Sequence, residues 1–290
     1  RKALARIMSS IGVKRRRDSN LPTPKRKKQK KLLPDGTEEK QIPRTQENTR
    51  EADDTIVEPD DHEVFEDEQT DEFASYFDRS KPPKVIVTTT LRPSRELVRF
   101  AKEFRTIVGW DECEYKSRTP ESIKEIVNGA IERDYTDVAV ISEHAGKPHT
   151  LTLVHLPLGP TAQFRITNVV MRKDIPGHGR PSDHTPELIL NNFSTRLGHT
   201  IGRMFASLFP HDPEFDGRRV ITFHNQRDYI FFRQHRYIFD DPEHARLQEL
   251  GPRFTLKLRW LQHGAFSLKH GEYEWHQKKE IETSRRRFFL

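Results

Sequence analysis

The sequence predicts an α/β fold made of two similar halves, each reading strand, helix, strand, strand, strand. The first observation is a repeated stretch. Leu158-Gly159-Pro160-Thr161-Ala162-Gln163-Phe164-Arg165-Ile166 shares its pattern with Leu250-Gly251-Pro252-Arg253-Phe254-Thr255-Leu256-Lys257-Leu258. Each is a Leu-Gly-Pro turn running into alternating apolar residues. Gly reaches backbone angles that other residues resist and Pro ends any preceding helix, so the pair punctuates loop to strand. The second observation lies upstream. Residues 84–91 and 187–193 are apolar runs that end in polar residues and lead into helical patterns from Ser94 and through Leu197. The third is a pair of strand-like runs in each half, 138–141 with 151–154 and 220–223 with 229–232. A duplication accounts for all three, with one additional helix in the first half.

Composition sets limits on that body. Of 290 residues, 33% are apolar and 32% charged, lean for a chain that folds throughout, so part of it is expected to be disordered. A single cysteine, Cys113, excludes an internal disulfide and a four-cysteine zinc site. No apolar run approaches the ~20 residues of a membrane span. The first residue is Arg1, so a targeting peptide ahead of it stays open.

Residues 1–80 read as a disordered, charged tail. Lys14, Arg15, Arg16 and Arg17, then Lys25, Arg26, Lys27 and Lys28 within a run to Lys31, are two basic clusters across a Pro-containing spacer, as in a bipartite nuclear import signal. A basic arm gripping RNA phosphates is the alternative. Residues 51–72 then carry 12 Asp or Glu and no Lys or Arg, a block that repels itself. Val64, Phe65, Phe73, Tyr76 and Phe77 interrupt or follow it, either as anchors or as incidental residues of a spacer.

The folded part is expected at 81–266, in halves of about 81–174 and 187–266, followed by a basic extension over 267–290. Pro82 and Pro83 separate tail from strand. Ser94 is placed to cap a helix whose apolar stripe is Leu97, Phe100, Ala101, Phe104, Ile107 and Val108. Thr119-Pro120-Glu121 reads as the start of a second helix. Residues 175–186, rich in Gly, Pro and His, read as a linker without a phosphate-binding fingerprint. A third helix presents Leu197, Ile201, Met204, Phe205 and Leu208, with Gly198 and Gly202 set for close packing.

Enzyme chemistry finds no support. His144, His149 and His155 form the best histidine cluster but lack zinc spacing. Cys113 has no activating neighbour, and no Ser sits in a Gly-x-Ser-x-Gly elbow. Neither a cofactor nor a small-molecule substrate is expected. Charge points to nucleic acid instead. Residues 1–80 hold 17 basic and 18 acidic side chains, so the net charge of +6 arises beyond them. It concentrates at Arg218, Arg219, Arg227, Arg233, Arg236, Arg253, Lys257, Arg259, Arg285, Arg286 and Arg287, and Arg196, His199 and Arg203 lie off the apolar face of the third helix. Such density suits phosphate neutralisation. In the last strand Phe254, Leu256, Leu258 and Trp260 share one parity, and Arg253, Thr255, Lys257 and Arg259 share the other as a cationic stripe.

The stretches 156–164, 191–210, 219–232, 249–258 and 284–290 (LPLGPTAQF, NNFSTRLGHTIGRMFASLFP, RVITFHNQRDYIFF, ELGPRFTLKL, SRRRFFL) together resemble the Brix-domain family of ribosome assembly factors. The resemblance implies two α/β halves related to the anticodon-binding domain of some aminoacyl-tRNA synthetases. It further implies a non-catalytic nucleolar protein that binds ribosomal RNA, works with a dedicated protein partner among pre-60S ribosomal proteins and assembly factors, and serves large-subunit assembly. Two other readings stay open. One is a protein-protein scaffold in the same particle, and the other a detached anticodon-binding module.

Overall fold

Two short helices, α1 (His62–Thr70) and α2 (Ala74–Phe77), precede β1 (Val85–Thr89), α3 (Arg95–Val108), β2 (Cys113–Tyr115), α4 (Ile123–Ile131), β3 (Asp137–His144), β4 (Lys147–His155) and β5 (Thr161–Val170). Then follow β6 (Glu187–Asn191), α5 (Arg196–Ala206), β7 (Arg219–Gln226), β8 (Tyr229–Asp241), β9 (His244–Glu249), β10 (Arg253–Gln262) and β11 (Tyr273–His276). The computed structural model describes residues 43–290 other than 52, 59, 60, 110, 242, 243, 267–270, 279–283 and 285. The basic clusters at 14–17 and 25–28 lie outside the described residues, as does Arg285.

One sheet runs in the order β2-β1-β3-β4-β5-β10-β8-β7-β6, with β9 paired to β8 and β11 to β10. In the first half β1 and β3 are parallel, and β3-β4 and β4-β5 antiparallel. In the second, β6 and β7 are parallel, and β7-β8 and β8-β10 antiparallel. The crossovers between the parallel pairs contain α3 and α5 at equivalent places. Gly159 and Gly251, both with positive φ (107° and 65°), each precede a proline and open β5 and β10. The Gly-Pro turns therefore occupy equivalent positions, and the two strands that they start pair with each other at the centre. The first half adds β2 as well as the expected extra helix.

Both crossover helices lie on one face. Phe100 and Phe104 of α3 and Ile201, Met204 and Phe205 of α5 are buried against Phe164, Phe223, Phe232 and Phe254. Rings step across the sheet from Phe205 to Phe223 (4.4 Å between centroids), Phe232 (5.2 Å), Phe254 (4.3 Å) and Phe100 (5.5 Å), an arrangement that fixes the strands laterally. On the opposite face α4 packs Val127 and Ala130 on Ile86, Val138, Val140 and Val154, covering the first half alone. Among the described residues no helix covers that face of the second half.

Four expectations need correction, and one open alternative is decided. The compact unit begins at Thr45, not at 81. Phe73 and Tyr76 are buried, and the Tyr76 hydroxyl donates to the Phe209 carbonyl at 2.8 Å, so the acidic segment is anchored by its aromatic residues. The second helix starts after Ser122, because a capping box between Ser122 and Glu125 satisfies its first amides better than Thr119 would. Close packing explains only Gly198, where an added Cβ would stand 3.0 Å from the backbone of Leu290; at Gly202 the nearest atom would lie at an ordinary 3.8 Å. Finally, a bulge at Leu258/Trp260 turns Trp260 to the helix-free face, where its indole donates to Gln163 at 3.0 Å.

Candidate nucleic-acid interface

The helix-free face of the central strands is built from one parity of each. Ala162, Phe164 and Ile166 of β5 enter the core, so Gln163, Arg165 and Thr167 face outward. By the same alternation Thr255 and Lys257 of β10, and Tyr229, Phe231, Arg233 and His235 of β8, project beside them. Strands β4, β5, β7 and β10, and β8 as far as Phe239, contain no Asp or Glu. Lys257 lies directly opposite Arg165 across the β5-β10 pair. Like charges so placed destabilise a sheet slightly, a cost that a bridging anion removes. The field is felt by His149, held below its ordinary range by burial first and then by Arg165, His144 and Arg259.

Arg165 is not in the sequence-derived set, although the repeat carries a signal for it, since Arg165 occupies the position in its copy that Lys257 occupies in the other. Of the expected residues, Lys257, Arg233 and Arg259 are on this face. Lys257 Nζ sits 5.1 Å from the Tyr229 ring centroid, Arg233 donates to the Phe232 carbonyl at 2.7 Å, and Arg259 donates to Gln277. Arg253 is held by both oxygens of Glu249. Arg227, in the β7-β8 turn, donates to Gln46 at 2.9 Å and pairs with Glu47 at 3.3 Å. Arg287 lies 5.6 Å from the Phe289 ring, and Arg286 is exposed. Arg218, just before β7, is exposed while its carbonyl accepts from the Tyr237 amide at 3.0 Å, and Arg236 donates to the Arg180 carbonyl at 3.1 Å.

Four of the expected RNA-binding residues are engaged by other parts of the protein. Arg219 is 2% exposed and points to the helical side, where it donates to the carbonyls of Thr106, Ile107 (2.8 Å) and His184 (3.2 Å). Burial pushes its pKa down to about 10, which leaves it charged at neutral pH. Arg196, His199 and Arg203 are occupied by the acidic segment. Arg196 pairs with Glu63 at 3.2 Å, His199 with Glu68 at 2.7 Å, and Arg203 holds both oxygens of Asp71 at 2.7 and 2.8 Å. The Phe77 ring centroid lies 3.9 Å from the Arg203 guanidinium carbon. The side chains that look in sequence like a solvated basic face are thus the receptor for residues 63–77.

The same segment docks at a buried histidine. Nδ1 of His155 is 2.7 Å from Asp137 and Nε2 is 3.2 Å from the Glu72 carbonyl. Both neighbours accept, so the imidazolium is the state that satisfies both nitrogens. Burial lowers the pKa, but the charge of Asp137 and the hydrogen bonds to Asp137 and Glu72 outweigh it, and the net shift is upward. Cys113 is buried and its thiol is pushed up to about 12, chiefly by burial, so it behaves as a core residue. Among the described residues no group of His, Cys, Asp or Glu is arranged to hold a metal ion.

The Brix-domain family profile matches residues 91–260. Ribosome production factor 1 of Mus musculus is 53% identical over 268 residues, which cover 92% of this chain and 76% of that protein. Ribosome production factor 1 of Saccharomyces cerevisiae is 42% identical over 289 residues, 98% of this chain and 94% of that protein. A crystal structure described as a probable ribosomal biogenesis protein from Aeropyrum pernix K1 is 14% identical and covers 66% of this chain and 99% of that one, at a TM-score of 0.45. With the profile spanning most of both halves and identity of this order along nearly the whole chain, the protein belongs to the Brix-domain family.

Proposed function

We propose that the protein is a non-catalytic ribosome biogenesis factor that holds pre-ribosomal RNA on the helix-free face and supports assembly of the large (60S) subunit. The observation that carries the RNA reading is the open face itself, with Arg165, Lys257, Arg259 and Arg233 on β5, β10 and the part of β8 as far as Phe239, stretches that contain no Asp or Glu. Strands ~4.8 Å apart and same-face residues ~7 Å apart match the spacing of phosphates along a strand of RNA. The names of the relatives support the biogenesis role. Pre-60S ribosomal proteins and assembly factors, including a dedicated partner, belong to this reading, and so does residence in the nucleus and nucleolus.

Changing Arg165, Lys257 and Arg259 together to Glu is expected to leave the circular dichroism and unfolding midpoint close to wild type, since all three are outside the core. RNA affinity should fall by roughly one to two orders of magnitude, and the log-log salt slope should flatten by about 0.7 to 0.9 for each phosphate that the variant leaves unneutralised. A folded triple variant with wild-type affinity and slope would move the RNA off this face. The same protein carrying Ala at Lys14, Arg15, Arg16, Arg17, Lys25, Arg26, Lys27 and Lys28 is expected to bind RNA through this face unchanged yet accumulate less in the nucleus. Undiminished nuclear accumulation, followed by fluorescence of a tagged chain, would assign import to the folded body or a partner.

A further inference from the structure

Towards the β7-β8 turn the open face deepens into a cleft of about 730 Å³. Tyr229, Phe231 and Lys257 form one wall, Arg287 and Phe289 the other, and Arg227 stands at the rim. The volume falls in the range of small-ligand sites, about 300–1,000 Å³, and is far too small to admit a duplex. Among the described residues that line it Asp228 is the sole carboxylate, and its Oδ1 accepts from the amides of Phe289 at 2.8 Å and Leu290 at 3.0 Å. Arg227 and Asp228 both have positive φ (55° and 62°), a conformation that Asp tolerates and that is unfavourable to Arg. The Asp228 clamp holds that turn against the 288–290 segment and so fixes the two walls at their separation.

We propose that this cleft receives one unpaired nucleotide of the bound RNA, with its base stacked on Tyr229 and its phosphate between Lys257 and Arg287. The inference rests on the RNA reading above and adds single-strand selectivity to it. Tyr229 is 44% exposed, and Lys257 Nζ lies 5.1 Å from its ring centroid. The Lys257 charge also acts on the Asp228 carboxylate, so the ammonium is directed into the cleft, and a phosphate drawn to it and to Arg287 leaves the ring face to the base. Stacking accepts any base, so the site selects for an unpaired state and not for a sequence.

The test uses the full chain, a single-stranded RNA hexamer containing 2-aminopurine, and a blunt RNA duplex with the same number of phosphates. Wild type is expected to quench the 2-aminopurine on binding and to prefer the single strand. Tyr229→Ser should abolish the quenching and reduce the single-strand affinity about ten-fold or more, while its duplex affinity and salt slope stay as in wild type. Tyr229→Phe should retain both. If Tyr229→Ser quenches and binds the hexamer as wild type does, or if wild type binds hexamer and duplex equally without quenching, the nucleotide cleft is wrong while phosphate tracking survives. Wild-type affinity in the Arg165/Lys257/Arg259 triple variant would instead overturn the RNA reading beneath it.

Discussion

Arg219→Leu is expected to destabilise the protein by about 3–5 kcal/mol while leaving RNA affinity of the folded fraction unchanged. The arginine lies at the start of β7 and reaches the carbonyls of Thr106 and Ile107, which end α3 without intrahelical partners. It also reaches His184 at 3.2 Å, which ties the linker between the halves to the same point. With the Gln234 amide turned so that its oxygen faces Arg219, that oxygen accepts from Nη2 at 3.0 Å and the amide nitrogen donates to Gly251 at 3.0 Å. Leucine fills the volume but orphans these buried acceptors. Lysine does not rescue, because one ammonium cannot reproduce a planar fork directed at several carbonyls. Denaturant titration reads the loss of stability, and a variant within ~1 kcal/mol of wild type would show that the carbonyls find other donors.

The second large effect is expected at His155. Replacing it by leucine leaves Asp137, 2% exposed, without its counter-charge and removes the donor to Glu72, at a cost of about 3–5 kcal/mol at neutral pH. The pH dependence follows from the sign of the shift. A histidine whose pKa is raised on folding stabilises fully below its unfolded value of ~6.5, and that contribution is lost as pH rises through the folded value. The comparison that isolates it is wild type against His155→Leu with Asp137→Leu, where no buried charge remains. The stability difference should shrink as pH climbs through that window. A difference that is flat between about pH 5 and 9, or an NMR titration of His155 centred below ~6.5, would contradict the imidazolium assignment.

The repeat is legible because a Leu-Gly-Pro turn ahead of alternating residues is local information, and Gly159 and Gly251 require positive φ wherever the strands end up. What sequence misplaces depends on meetings between distant parts. Arg218 and Arg219 look alike in a string of letters, and only the end of α3, 113 positions earlier, decides that the second is buried. The acidic segment reads equally as anchor or as spacer because its charges argue for solvent. Phe73 and Tyr76 supply the anchors, and their pockets are formed by His155, Phe209 and His211 from elsewhere. Trp260 follows the expected alternation until a bulge, which no residue type announces, shifts the count by one.

The central strand pair carries a further consequence. Aligning the two Gly-Pro turns makes Arg165 the counterpart of Lys257, Phe164 of Leu256 and Ile166 of Leu258. In the sheet Arg165 pairs with Lys257, Phe164 with Leu258 and Ile166 with Leu256. Each residue therefore meets the counterpart of its own mirror position, and a pseudo-two-fold axis passes between Arg165 and Lys257. This is an isologous interface, the kind two identical subunits make, written into a single polypeptide. Symmetry at such an axis brings a position face to face with itself. One cation in the repeating unit is thereby delivered as a pair at the middle of the open face, and the inner sheet edge of each half is closed by that of the other.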